Sequence, residues 1–465
     1  MHLVLSCITV AIVAYTIVLF LMGTAVKPPT SKAPDDLLFV FMVPCLNEEL
    51  VIGRTIERLE QLETEHDYRV MVIDDGSEDR TADVVRRYGE DLVWLFQRTK
   101  PEAQQGKGEA LNAAYRYLRS KILDEGRSPD SVIVVVLDAD GRLESTALDK
   151  VAPFFADPDR ASVQIKVRIH NAPDKVLARL QDIEFASFTE VFQRARSRFG
   201  SAGLGGNGQF ARLTALMSLG DAPWSDCLTE DLELGIEFLL RGWKNDFCPD
   251  AAVSQQGVTE VRKLVRQRAR WFQGHLQCLK FIPRILRSDM PMWPRLDLVF
   301  HLVNSVFMLV MQSLSAVWLA MVGYLFVTQP ALTANIMFGG SRWLILYALA
   351  FGLAPFIAVI YWRTEPTISI PKGIALAHLY VFYSYLWWAA GLQAVYRMVT
   401  GKRGWAKTAR TVGTGDEDPI LAEMAMASTA EADLSNEQVI DLREKRAEKA
   451  ANGSGPIDLA EASAS

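Results

Sequence analysis

Cysteine is scarce and unpatterned in this chain. Its five cysteines, Cys7, Cys45, Cys227, Cys248 and Cys278, form no C-x-x-C pair and no regular spacing. Neither a disulfide framework nor a zinc-binding motif is indicated. Charge is scarce as well, with 22% of residues Asp, Glu, Lys or Arg against 50% apolar and a mean hydropathy of +0.10. That balance excludes a wholly disordered chain and departs from the composition of a soluble enzyme. A strong positive excess is also missing. The formal net charge of −6 includes an acidic C-terminus in which about 12 acids face 4 bases from Asp416 onward, so −6 minus −8 leaves the rest near +2. A body this close to neutral gives no sign of nucleic acid as a partner. A soluble chain of 465 residues would divide into about three domains. The apolar excess points instead to a membrane protein with a large soluble part.

Long apolar runs are what the sequence does have. Leu3 to Gly23 carries no charge and is long enough to cross a bilayer of about 30 Å as a helix. A cleaved signal peptide is the other reading, but no Lys or Arg precedes the run and no clean small-x-small site closes it. We read residues 1–25 as an uncleaved anchor. Lys27 and Lys32 follow it, which places the next segment in the cytoplasm. Beyond Pro294 further spans are expected at Leu298–Val327, Trp343–Trp362 and Ile374–Tyr396, within a membrane region over 294–400. Trp343, Trp362, Trp387, Trp388 and Tyr396 suit the interface at their ends. Three such spans would put the C-terminus outside, whereas Arg397, Lys402, Arg403, Lys407 and Arg410 argue for inside, so the number of spans and the final side stay open. Residues 411–465 read as a disordered acidic tail with a short helix near Asn436–Ala450. The expectation is a multi-pass protein of the plasma membrane.

Between these regions, over 34–285, short β-branched runs alternate with amphipathic stretches. Strands are predicted at Leu38–Val43, Arg69–Ile73, Leu92–Phe96, Val132–Leu137 and Ser162–Val167. Helices are predicted at Leu50–Glu63, Thr81–Tyr88, Gly108–Lys121 and Ser145–Phe155. This alternation predicts an α/β domain with a mainly parallel sheet, whose ligands bind beyond the carboxyl ends of the strands.

Acids gather where those strands end. The run Met71-Val-Ile stops at Asp74-Asp75-Gly76, which places both carboxylates to accept hydrogen bonds from a nucleoside. Helix capping is the competing reading, and it suits Asp79 and Thr81. The strand Val132–Leu137 ends in Asp138-Ala139-Asp140, where alternate residues of extended chain face one side and could share a divalent ion. Between them, Gly106-Lys107-Gly108 opens a helix without the Walker spacing. Lys107 there meets a phosphate or only solvent. Glu230, Asp231 and Glu233 open another helix, with Thr229 able to cap it. They serve as dipole partners, or one of them serves as a general base. In Gln267-Arg-Ala-Arg-Trp271, a helix would put Gln267, Arg270 and Trp271 on one face, suited to phosphate and a stacked sugar. Arg262, Lys263, Arg266, Arg268 and Lys280 support a different use of the same helix, on anionic lipid.

Taken in order, Val43-Pro-Cys-Leu-Asn-Glu-Glu49, Asp74-Asp-Gly76, Gly106-Lys-Gly108, Asp138-Ala-Asp140, Thr229-Glu-Asp231 and Gln267-Arg-Ala-Arg-Trp271 resemble the membrane-integrated family 2 glycosyltransferases, which include cellulose, hyaluronan and chitin oligosaccharide synthases. The resemblance covers about Phe39 to Gln277. It implies a Rossmann-like GT-A domain in the cytoplasm, flanked by transmembrane helices, and inverting transfer from a UDP-sugar. It makes Asp231 the base, Asp140 the ligand of Mg²⁺ or Mn²⁺, and Asp74, Asp75, Lys107, Asp138 and Arg270 the donor-binding set. Glu230, Gln267 and Trp271 fall on the acceptor side, and Gly203-Leu-Gly-Gly-Asn-Gly208 stands where the family has an acceptor-facing loop. The leading expectation is a β-linked polysaccharide synthase acting on a growing glycan. The alternative is a glycolipid synthase using an acceptor such as diacylglycerol, and an export partner or a homo-oligomer is conceivable because the apparent spans are few. The intact acidic clusters argue against a non-catalytic scaffold.

Overall fold

The computed structural model describes residues 14–23 and 29–401. The acidic tail, the helix expected near 436–450, the cations at 402–410 and the first part of the apolar N-terminal run lie outside the described residues. In the first half of the chain, helix α1 (Ala14–Gly23) is followed by β1 (Leu38–Cys45), α2 (Ile52–Glu60), β2 (Asp67–Asp74), α3 (Thr81–Val85), β3 (Val93–Gln97), α4 (Lys107–Asp124) and β4 (Val132–Val136). Next come β5 (Arg142–Leu143), α5 (Ala147–Val151), β6 (Arg160–Ile169), α6 (Val176–Phe188), α7 (Arg194–Ser197), β7 (Gln209–Arg212), α8 (Leu213–Met217), α9 (Glu230–Leu240), β8 (Lys244–Gln255) and α10 (Val261–Cys278).

The strands form one sheet in the order β3-β2-β1-β4-β7-β6-β8-β5. Its centre is covered on both faces, which is why β1 and β4 read as unbroken apolar runs. Alternation along β1 sends Phe39, Phe41 and Val43 into one core and Leu38, Val40 and Met42 into the other. β3, β2, β1 and β4 are parallel, as expected. The second half is mixed, which corrects the mainly parallel expectation: β7 is antiparallel to both β4 and β6, and β5 is antiparallel to β8. The connection explains the reversal. The chain re-enters through Gly203–Gly208 at the carboxyl edge, where Gln209 pairs with Val136, so β7 must run back from that edge.

Two local expectations also shift. The helix predicted to Phe155 ends at Val151 and continues as a 3₁₀ turn from Ala152, because Pro153 cannot donate to the α-helical ladder. β8 was not predicted, since Pro249 and Asp250 punctuate it. The structure absorbs them in a register shift opposite Ile165 and Lys166.

The second half is helical: α11 (Ile282–Arg287), α12 (Met292–Thr328), α13 (Pro330–Phe338), α14 (Arg342–Phe351), α15 (Ala354–Thr364) and α16 (Ile370–Val399). Two stretches, Met292–Thr328 and Arg342–Thr364, are long and apolar enough to cross a membrane. The second contains a break before Pro355, at the start of α15. Large apolar side chains point outward along both, among them Val317, Val327 and Leu349. The third expected span falls in α16, which packs against α10. Gly391 allows the approach, since a Cβ there would stand 2.8 Å from Leu309 and 3.3 Å from the Phe272 ring.

Candidate active site

A cavity of about 1720 Å³ opens at the carboxyl edge of the sheet, with Asp75, Lys107, Asp138, Glu230, Asp231, Gln267, Arg270 and Trp271 on its wall. Eight of the ten residues singled out from sequence therefore meet in one space.

The acids after β2 divide. Asp74 is buried and holds the turn, accepting from the Ser77 backbone N–H at 2.9 Å and from Gln97 Nε2 at 3.0 Å. It is not on the cavity wall. Asp75 is, and Arg98 Nη1 reaches its carboxylate at 2.5 Å. Burial pushes the Asp75 carboxyl up in spite of that cation. Gly76 (φ +78°) makes the turn, and a Cβ there would stand 2.9 Å from Ala103. Asp79 takes the capping role, accepting from the Thr81 backbone N–H at 2.9 Å.

After β4, Asp138 Oδ1 accepts from Lys107 Nζ at 2.8 Å, and the same ammonium donates to the Gly206 carbonyl at 2.8 Å. Asp140 is buried beside the cavity, where its Oδ2 accepts from the Gln256 backbone N–H at 3.2 Å. Burial works against the Lys107 ammonium, yet Asp138, Glu230 and Asp231 together hold its pKa above the ordinary lysine value.

The glycine loop is pinned from below. Gln164 Oε1 accepts from Gly205 N–H at 2.8 Å, while its Nε2 donates to the carbonyls of Asn207 and Gly208 at 2.9 and 3.1 Å. Asn207 Oδ1 in turn accepts from the Asp138 N–H at 3.2 Å. A Cβ at Gly206 would lie 3.1 Å from Lys107 Nζ and 3.3 Å from Asp231 Oδ2, so glycine lets the loop lie directly against the charged cluster.

The three acids in the first turn of α9 separate too. Glu230 and Asp231 face the cavity, whereas Glu233 is buried and pairs with Lys280 at 3.0 Å. Asp231 Oδ1 accepts from the Leu232 N–H at 2.8 Å. Thr229 makes no side-chain cap. Its hydroxyl lies near Cys227 and Cys278 instead. Burial first, and then the neighbouring Asp231 charge, pushes the Glu230 carboxyl up to about 7. Asp231 is raised as well, chiefly by burial, with Lys107 pulling the other way.

On α10, helical spacing brings Gln267, Arg270 and Trp271 to the cavity as expected. Arg268 does not serve a lipid surface. It is 1% exposed, pairs with Glu184 at 3.1 Å, and lies over the rings of Trp271 and Trp387 at 4.0 and 5.4 Å. Glu184 also accepts from Tyr383 Oη and from Trp387 Nε1. This hub ties α6, α10 and α16 together behind Trp271. Sequence reading passed over Glu184, which lies 84 residues from Arg268. Arg262 and Arg266 remain exposed.

The helices beyond the sheet domain line the same cavity: Phe300, His301, Asn304 and Met308 come from α12, and Phe356, Ile357 and Ile360 from α15.

A profile described as "Glycosyltransferase like family 2" matches residues 34–274, from just before β1 into α10. The chain belongs to this family. It is therefore a glycosyltransferase, built on an α/β GT-A-like fold with a mixed sheet. It is similar to the β-monoglucosyldiacylglycerol synthase of Synechocystis, 33% identical over 240 residues that cover 51% of this chain and 47% of that protein. The match thus spans about half the length of that curated relative. The probable glycosyltransferase YdaM of Bacillus subtilis is 26% identical over 382 residues, covering 79% of this chain and 86% of its own. A poly-β-1,6-N-acetyl-D-glucosamine synthase of Staphylococcus aureus is 27% identical over 273 residues, covering 55% and 60%. Among solved structures, the mannosyltransferase PcManGT of Pyrobaculum calidifontis, in complex with GDP-Man and Mn²⁺, superposes with a TM-score of 0.52 at 20% identity, covering 84% of this chain and 97% of that one. At that identity the likeness concerns the fold alone.

Proposed function

We propose that this glycosyltransferase transfers a single sugar from a nucleotide donor to a lipid acceptor at a membrane surface. The observation that carries this reading is that the cavity holding the charged cluster is also lined by apolar side chains of α12 and α15, Phe300, Met308, Phe356, Ile357 and Ile360. An acyl chain gains by leaving water for such a wall, whereas a hydroxyl-rich glycan would lose hydrogen bonds there. The similarity to a glucosyldiacylglycerol synthase supports the same choice. In this reading the outward apolar faces of Met292–Thr328 and Arg342–Thr364 lie in the cell membrane, and Lys27 and Lys32 assign the sheet domain to the cytoplasmic side.

In this proposal Asp231 accepts the proton of the acceptor hydroxyl as its oxygen attacks the anomeric carbon from the side opposite the leaving nucleoside diphosphate. An α-linked donor, taken to be a UDP-sugar, then gives a β-linked product. The arrangement needs one base and a stabilised leaving group, not the two flanking carboxylates of a glycosidase. Asp75 orients the nucleoside, Lys107 and Arg270 offset charge on the diphosphate, and Glu230, Gln267 and Trp271 border the acceptor. The side chains after β4 suit a hard divalent cation, because two carboxylates stand one residue apart at the cavity's edge, and Lys107 would give up its contact with Asp138 as the ion and diphosphate bind. Asp140 and Asp138 would hold Mg²⁺ or Mn²⁺, which supplies charge neutralisation of the diphosphate when bound.

The pH profile tests the base. It acts as a carboxylate, so kcat/KM is expected to fall as pH drops through the raised pKa values of the Glu230–Asp231 pair, above the ordinary carboxyl range and toward the value of about 7 at Glu230. An acid limb that lies within the ordinary carboxyl range would remove this buried pair as its origin.

A second reading, processive synthesis of a β-linked polysaccharide, is favoured by Trp271 as a stacking platform in the cavity and by the poly-N-acetylglucosamine synthase relative. Membranes containing the protein, given labelled nucleotide sugars with Mg²⁺ or Mn²⁺, separate the two. We expect label in solvent-extractable lipid. Label in a high-mass, glycosidase-sensitive polymer would overturn the lipid reading.

A further inference from the structure

Beside the Glu230–Asp231 turn of α9 lies a group of side chains able to ligate a metal, separate from Asp138 and Asp140. Cys227 precedes α9, Glu233 sits in its first turn, and Cys278 ends α10. All three are buried, and one donor atom from each lies within 4.8 Å of the others. Among the described residues this is the one group of three His, Cys, Asp or Glu donors so placed.

Its geometry suits a soft tetrahedral ion. The two sulfurs stand 3.9 Å apart. Two thiolates on a tetrahedral zinc, each at about 2.3 Å, are separated by about 3.8 Å. Thr229 Oγ1 lies 3.6 Å from Cys227 Sγ and 3.8 Å from Cys278 Sγ, beside both sulfurs. Around them, Gln277 Oε1 accepts from the Leu228 N–H at 3.0 Å and from the Cys227 thiol at 3.3 Å, which fixes the loop carrying the first cysteine. Lys280, on Glu233 at 3.0 Å, supplies the charge that balances two thiolates, one carboxylate and a divalent ion. An ion also has a way in, because Cys227 and Thr229 both border the main cavity.

We propose that Cys227, Cys278 and Glu233 form a binding site for Zn²⁺ or a similarly thiophilic divalent ion, with Thr229 or a water it holds as the fourth ligand. Binding releases the two thiol protons to solvent and changes no oxidation state. The ion would staple the start of α9 to the end of α10, and so fix the Asp231 turn relative to the helix carrying Gln267, Arg270 and Trp271. The contact is already close at that point, where a Cβ at Gly274 would stand 2.5 Å from Thr229 Oγ1. The inference does not depend on whether the acceptor is a lipid or a glycan.

Cobalt(II) titration of the full-length, chelator-treated protein in detergent tests it. We expect near-ultraviolet thiolate-to-cobalt charge-transfer bands that saturate at a single equivalent and disappear when Zn²⁺ is added. The bands should be lost in Cys227→Ser and in Cys278→Ser, weakened in Glu233→Gln, and retained in Cys248→Ser and Asp140→Ala. Wild-type protein in native membranes gives a readout independent of variant folding: Zn²⁺ should slow alkylation of Cys227, followed by peptide mass spectrometry. Absence of charge-transfer bands in the wild type, their persistence without both cysteines, or alkylation indifferent to Zn²⁺ would each overturn the site.

Discussion

Asp231→Asn is expected to lower the rate of sugar transfer by about 10²–10⁴-fold, the usual worth of a positioned general base. The substitution is nearly isosteric, and an amide oxygen can still accept from the Leu232 N–H that Asp231 Oδ1 now takes at 2.8 Å. Folding and donor binding should therefore survive, and the loss should appear in kcat rather than in nucleotide affinity. Steady-state transfer assays alongside equilibrium binding of the nucleotide measure the two separately. Glu230→Gln is the control, because it removes the adjacent charge and leaves the proposed base. A rate for Asp231→Asn within a few-fold of wild type would sink the assignment. A loss explained by weaker donor binding would place Asp231 among the donor contacts instead.

The second large effect is on stability. Arg268→Leu leaves Glu184 with Tyr383 and Trp387 as donors but without its cation. Removing one member of a buried ion pair costs about 3–5 kcal/mol, because the other charge stays desolvated. Truncation also removes the guanidinium from the rings of Trp271 and Trp387. Denaturant or thermal unfolding in detergent should show a loss of that order. Adding Glu184→Gln to Arg268→Leu should restore much of it, since no uncompensated charge then remains. A loss for Arg268→Leu below about 1 kcal/mol, the range of an exposed surface pair, would show that the pair is solvated.

Much of the sheet and most of the candidate site were legible in sequence for one reason. A strand covered on both faces must be apolar throughout, and its ligand end is where polar residues first become tolerable. That contrast makes Val132–Val136 followed by Asp138 and Asp140, or Met71–Ile73 followed by Asp74 and Asp75, readable without coordinates. Helical spacing likewise brought Gln267, Arg270 and Trp271 to one wall. Where the chain departs from such periodicity the reading failed. β8 carries Pro249 in mid-strand, and β7 is four residues long and reversed by the approach of its loop.

The sequence by itself determined the succession of strands and helices from β1 to β4, the acids at the ends of β2 and β4, and the apolar stretches beyond Pro294, because each is written in residues that are neighbours along the chain. Only the tertiary structure decided which acids share a space. It turned Asp74 into the turn and Asp75 into the cavity, and it separated Glu233 from Glu230 and Asp231. It also took Arg268 out of a basic helix and buried it against Glu184, and it brought together Cys227 and Cys278, whose separation of 51 residues follows no metal-binding spacing. Burial, pairing and proximity come from packing between distant segments, and a local pattern carries no record of which segments will meet.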